Sequence, residues 1–329
     1  YAALTAVLDQ VRFSRQIETG SGTIYAVEFR RGDGRLATAF WCARGEADLE
    51  LEWDRSLSLE TVDFYGRKQK RETEGNRLIF STSTAATYLL ADHPLQKVHV
   101  LKRRFPRDDA RAQKAVSLAL KSENEELRLV PDRSLDTTLE YPLQLPIRQA
   151  GSFRCERVND EERGVCWEIT LEGPLPRSSR YVTEYGFFRL AEPVEAAGEP
   201  AAIGVWVKGN SGWGRVWFEI EDAEGEVWRS VGTGGWGCDI LDWPGQVLIN
   251  FDGWNFVALP LRESGLFEDR SPGPVLEQWV SGGGDKVIQY PIRLRGIGVE
   301  MTREALNLRE FRPVTPAIRI RDLGVVRSN

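Results

Sequence analysis

The strongest constraint in this sequence is an alternation of apolar and polar side chains. It recurs in short runs bounded by Gly, Pro, Asn and Asp. In an extended strand successive side chains face opposite ways, so each run predicts one half-buried β-strand. From about residue 136 the runs are "TTLEYPLQL", "SFRCERV", "VCWEITL", "RYVTEYGFFRLAEPV", "AIGVWVKG", "RVWFEIED", "EVWRSVG", "QVLINF", "WNFVALPL", "IRLRGIGVEM" and "AIRIRDLGVV". No helical period interrupts them, which implies a large antiparallel sandwich or jelly roll. Six similar runs between "TIYAVEFR" and "ATYLLAD" predict a smaller sandwich before it. Within that part, "FRRGDGRLATAFW" predicts a hairpin turning at Asp33-Gly34.

Helical spacing is confined to the start, where Leu4, Val7, Leu8 and Val11 share a face. The stretch "DDARAQKAVSLAL" opens as a helix capped by Asp108 or Asp109, although "AVSLAL" reads equally as a strand. The predicted fold class is therefore all-β: two antiparallel β-sandwich domains with one short N-terminal helix. Residues 1–92 form the helix and the small sandwich. Residues 93–135 are a linker, or the strand that leads into the second domain, and 136–329 form the jelly roll.

A chain of 329 residues suits two domains of ~100–200 residues each. Its net charge of −6 argues against a nucleic-acid partner, and the basic stretch 97–107 reads as a solvated face. No apolar run approaches the ~20 residues that cross a bilayer, so no membrane partner is expected. His93 and His99 are the only histidines, which leaves little basis for a Ser-His-Asp triad or a multi-histidine metal site. The chain opens on Tyr1 without Met or signal peptide, and is expected to be a piece of something longer. In "FRCERVNDEERGVCWEI", Cys155 and Cys166 lie equidistant from a turn around 159–162, where a disulfide forms if the geometry suits. Cys42 and Cys238 are expected to be free and buried.

Eleven tryptophans pose the functional question. Trp206, Trp217 and Trp228 are read as projecting from the non-core face of neighbouring strands, beside Lys208, Arg215 and Glu219. Sugar rings offer flat C–H patches and hydroxyl edges, which indole faces and charged groups match. A loop or neighbouring domain covering that face would explain the rings equally well. Trp213, Trp236 and Trp243 sit in glycine-rich loops and are further candidates; Trp254 reads as core.

Two resemblances extend this reading. "YAALTAVLDQVRF…YAVEFRRGDGRLATAFWCA…VDFYGRKQKRETEGNRLIFSTSTAATYLLAD" resembles the small β-sandwich that follows the catalytic barrel of many glycoside hydrolases, with Thr87 where a Pro usually precedes Tyr88. "AAIGVWVKGNSGWGRVWFEIEDAEGEVWRS…DGWNFVALPL…IRIRDLGVV" resembles the galactose-binding-like jelly rolls of carbohydrate-binding modules. These resemblances imply the C-terminal accessory domains of a secreted, extracellular bacterial glycoside hydrolase that bind polysaccharide, with the catalytic domain upstream. They also imply a structural Ca²⁺ site, for which Asp322 matches one family aspartate while Arg321 replaces the other. Carboxylate pairs such as Asp239 with Asp242 have no distinguishing spacing, and the chain itself is expected to be non-catalytic. Two alternatives stand beside this expectation: a structural spacer that orients a catalytic domain, and a lyase or hydrolase site in the jelly roll.

Overall fold

A computed structural model of the chain describes residues 2–131, 137–138, 146–173, 183–230, 249–261, 280–281, 284–285, 287–301 and 315–328. It divides into two compact units, Tyr1–Pro106 and Arg107–Asn329. Both are built of mainly antiparallel sheets, the second unit also holding a parallel pair between Pro146–Ala150 and Thr183–Ala196, and the all-β class follows directly from the period-two alternation.

The first unit holds α1 (Ala2–Leu8), β1 (Arg12–Gln16), β2 (Ile24–Arg30), β3 (Leu36–Cys42), β4 (Glu46–Glu52), β5 (Ser58–Val62), β6 (Lys68–Glu72), β7 (Arg77–Thr82), β8 (Thr87–Ala91) and β9 (Lys97–Arg104). A six-stranded sheet runs β1-β2-β3-β8-β5-β6, and a three-stranded sheet runs β7-β4-β9. Strand β4 shows how the pattern works. Ala47, Leu49 and Leu51 enter the core with Phe40, Trp53, Phe80 and Leu89, while Glu46, Asp48, Glu50 and Glu52 face out. The β2–β3 hairpin turns at Asp33-Gly34 as expected, and Gly34 supplies the left-handed φ of 88°.

The second unit holds α2 (Pro106–Ala112), β10 (Ala115–Ala119), β11 (Leu127–Val130), β12 (Thr137–Thr138), β13 (Pro146–Ala150), β14 (Ser152–Asp160), β15 (Gly164–Glu172), β16 (Thr183–Ala196), β17 (Ala202–Asn210), β18 (Arg215–Glu221), β19 (Val227–Arg229), β20 (Asp252–Pro260), β21 (Val280–Ser281), β22 (Ile292–Met301) and β23 (Ala317–Val326). One sheet runs β14-β15-β23-β17-β20, with β10 also on β23. The other runs β12-β13-β16-β22-β18-β19-β21, with β11 also on β16. Ile203, Val205, Val207, Ile169, Ile318 and Ile320 of the first sheet are buried, as are Phe188, Val216, Phe218, Ile220, Ile297 and Val299 of the second. Phe153 of β14 meets Phe188 of β16 edge to face at 6.2 Å, joining the two sheets. This is a jelly-roll sandwich.

Three expectations change here. The stretch 93–135 is read from sequence as a linker or leading strand, and its described part, 93–131, is built into both units: β9 completes the three-stranded sheet, and α2, β10 and β11 belong to the second unit. Cys155 and Cys166 are free. The β14–β15 hairpin has its tip at 161–163 rather than around 159–162, so Cys155 pairs with Ile169 and Cys166 with Val158. That is a three-position offset, and an odd offset puts the two thiols on opposite faces. Burial pushes the Cys155 thiol up to about 12, so it stays protonated. Finally, β17 and β18 are consecutive in sequence but lie in different sheets.

Candidate functional site

The separation of β17 from β18 dissolves the proposed common face of Trp206, Trp217 and Trp228. Trp206 belongs to the sheet of β14, β15, β23, β17, β20 and β10, and Trp217 and Trp228 to the other. Trp228 pairs with Ile220, so it shares the inward face of that strand, and its Nε1 donates to Asp222 Oδ2 at 3.1 Å. Trp217 does face away from Val216 and Phe218, yet it is 0% exposed. Its ring stacks on Phe187 at 5.0 Å and lies over Gly298, the one residue type that leaves room for it. Arg215 and Glu219 are also buried, each paired with charged partners: Arg215 with Glu300, Glu219 with Arg189 and Arg229. These four residues form no open platform: Trp228 faces inward, and Trp217, Arg215 and Glu219 are covered on the outward side. Trp213 is half-buried with a left-handed φ of 55°. Trp236, Trp243 and Cys238 lie outside the described residues.

Partly open aromatic and charged groups meet instead on the outward face of the sheet that holds β17. Register aligns them in two rows. Glu156, Glu168, Arg319, Lys208 and Trp254 form one row across β14, β15, β23, β17 and β20. Arg321, Trp206 and Phe256 form the next. The tip of the β14–β15 hairpin closes one side of this face. Arg163 places its guanidinium 3.4 Å from the Trp206 ring centre and 5.6 Å from that of Trp254.

Asp160, at the end of β14, holds the group together. Its side chain is wholly buried. It accepts from Lys208 Nζ at 2.7 Å, Arg319 Nη1 at 2.8 Å and Trp254 Nε1 at 2.9 Å, and from the backbone N–H of Glu162 at 3.0 Å. Burial alone would raise its pKa, but these donors outweigh that and hold the carboxyl well below the usual range. A depressed folded-state pKa means that Asp160 stabilises the fold above the unfolded value near 3.8, and that this stability drains away as pH falls below it. Asp160→Asn should therefore lower the unfolding free energy by about 2 kcal/mol at neutral pH. It should also flatten the loss of stability below pH ~4, read by urea titrations over a pH series.

Of the candidate residues drawn from sequence, this face retains Trp206 and Lys208. It adds Asp160, Arg163, Arg319 and Trp254. Trp254 was misread as core because "WNFVALPL" is apolar on both alternations: Phe256 and Ala258, on its own side, pack under Ala112 and Ala115. The reach of Asp160 and Arg163 across the sheet has no signal in local spacing.

Asp322 does not suit a calcium ion. Its carboxylate accepts from Ser117 Oγ and Arg321 Nε, both at 3.2 Å, and a guanidinium at that distance opposes a cation. Asp322 instead takes a left-handed φ of 55° where β23 exchanges β15 for β10 as its neighbour. Among the described residues no group of three or more His, Cys, Asp or Glu is placed to hold a metal.

No protein-family model matches the chain, and no curated protein does. Solved structures with similarity include the solution structure of the carbohydrate-binding module CtCBM11. It is 8% identical with a TM-score of 0.33, over 66% of this chain and 96% of that one. Allantoicase from Saccharomyces cerevisiae is 10% identical with a TM-score of 0.19, over 99% and 92%. An oxalate decarboxylase of Bacillus subtilis is 12% identical with a TM-score of 0.18, over 96% and 76%. Likenesses of this size carry no argument about ligand or site. Two of these three are enzymes, and with that finding the expectation that the chain is non-catalytic is withdrawn.

Proposed function

We propose that the second unit binds polysaccharide through the outward face of the sheet that holds β17 and β20. Trp206 and Trp254 are the stacking surfaces, and Arg163, Lys208, Arg319 and Glu168 bind hydroxyls. The observation that carries this reading is the pair of half-buried indoles on adjacent strands, set among charged side chains in the same two rows. Lys208 and Arg319 are about a third exposed, at 34% and 30%, and so are reachable while already oriented by Asp160. Groups held in place before the ligand arrives lose less freedom on binding. A sugar ring on Trp206 would displace Arg163 from the indole and gain its donors for the ring hydroxyls. A polysaccharide ligand implies work outside the cell, and that localisation belongs to the proposal.

Affinity electrophoresis against a panel of plant and algal polysaccharides tests it. At least one glycan should retard the protein. Trp206→Ala should weaken that binding about 30-fold, as expected for an aromatic anchor worth ~2 kcal/mol. Trp217→Leu, altering a wholly buried ring, should leave affinity unchanged in folded protein. Retardation by none of the glycans, or equal loss in both variants, would overturn the reading.

A further inference from the structure

The other sheet carries a second charged group, distinct in position and chemistry. Arg189, Gly296, Glu219 and Arg229 stand in one row across β16, β22, β18 and β19. Glu219 is 0% exposed. Its Oε1 accepts from Arg189 Nη2 at 3.2 Å and has Arg295 Nε at 3.5 Å. Its Oε2 accepts from Arg229 Nε at 2.9 Å. Beneath them lies Phe187, whose ring centre is 5.3 Å from the Arg189 guanidinium and 5.9 Å from that of Arg229.

Burying one carboxylate needs one guanidinium, which offers two parallel donors. Three guanidiniums around one carboxylate repel one another in a medium of low dielectric. Arg295 is partly relieved by Glu221, 3.3 Å from its Nη1, a carboxylate that Arg293 also uses. Arg189 meets no second carboxylate among the described residues. The Nε atoms of Arg189 and Arg295 are buried and make no hydrogen bond, that of Arg295 standing 3.5 Å from Glu219 Oε1. Among the described residues, Arg189 and Arg295 thus hold donors that Glu219 and Glu221 do not absorb. At its rim Arg189 is 39% exposed, and Arg229 and Arg295 are 21% each.

We infer that this row is an oxyanion-binding site, in which Arg189 and Arg295 receive a carboxylate, sulfate or phosphate group beside Glu219, over the Phe187 ring. The inference is independent of the polysaccharide reading, whose residues lie on the other sheet.

Equilibrium dialysis of the whole chain against radiolabelled sulfate, at constant ionic strength set with chloride, tests it. One saturable site per chain is expected. Displacement by acetate would identify a carboxylate as a natural occupant; displacement by phosphate alone would identify a tetrahedral anion. Arg189→Gln should weaken sulfate binding at least tenfold while the thermal melt stays nearly unchanged. Glu219→Gln removes the competing carboxylate and should tighten sulfate binding, with sulfate restoring part of its lowered melting temperature where chloride does not. Should Glu219→Gln fail to fold, Arg189→Gln with Arg295→Gln still decides. Absence of saturable binding, or binding untouched by Arg189→Gln, would overturn the inference.

Discussion

Replacing Glu300 with Gln should lower the unfolding free energy of the second unit by about 3–5 kcal/mol, the largest single effect expected in this protein. Arg215 and Glu300 are only 2% and 1% exposed, and Nη2 of Arg215 donates to Oε1 of Glu300 at 2.7 Å. Each ion lost its hydration on folding, at a cost of several kcal/mol, and the mutual attraction offsets that cost only while both are present. The amide removes the negative charge from this pair, so the buried Arg215 guanidinium loses the carboxylate that stands 2.7 Å from its Nη2. Arg215→Met combined with Glu300→Leu should recover much of the loss, because the pair then no longer needs desolvating. Urea unfolding followed by tryptophan fluorescence reads both. A cost below about 1 kcal/mol for Glu300→Gln would show that water reaches the pair.

Gly298→Ala is the second, at about 3 kcal/mol. A Cβ at Gly298 would stand 1.7 Å from Cε2 of Trp217 and 2.1 Å from Cζ2. The indole cannot retreat cheaply, because it is 0% exposed and stacked at 13° on Phe187. The cost is therefore overpacking, with Gly298 required for space rather than for a left-handed φ. In a unit of this size that corresponds to a fall in melting temperature of roughly 6–12 °C. Trp217→Leu in the same chain should relieve part of it, so the two substitutions should be strongly non-additive in a double-mutant cycle. Additive losses would mean that the indole is not what fills the glycine's space.

Much of this was legible in sequence, because strand alternation is a local property. The inward set Val216, Phe218 and Ile220, the buried Ala47, Leu49 and Leu51 of β4, and the turn at Gly34 all follow from neighbours in the chain. The candidate site was legible only in part. Alternation says that Trp217 faces away from Phe218, but not whether water or protein lies on that side. It puts Trp206 and Lys208 on one face, but cannot say which sheet the strand joins.

The sequence by itself determined the class and the phase of many of the described strands, since these depend on side chains two positions apart and on turn residues. The tertiary structure decided everything that depends on which strands are neighbours. It sent β17 and β18 to separate sheets, offset Cys155 from Cys166 by one odd register, and brought Asp160 to Trp254, 94 residues away. It also gathered Arg189, Arg229 and Arg295 on Glu219. Such contacts are set by long-range pairing and burial, and no window of local sequence contains both partners.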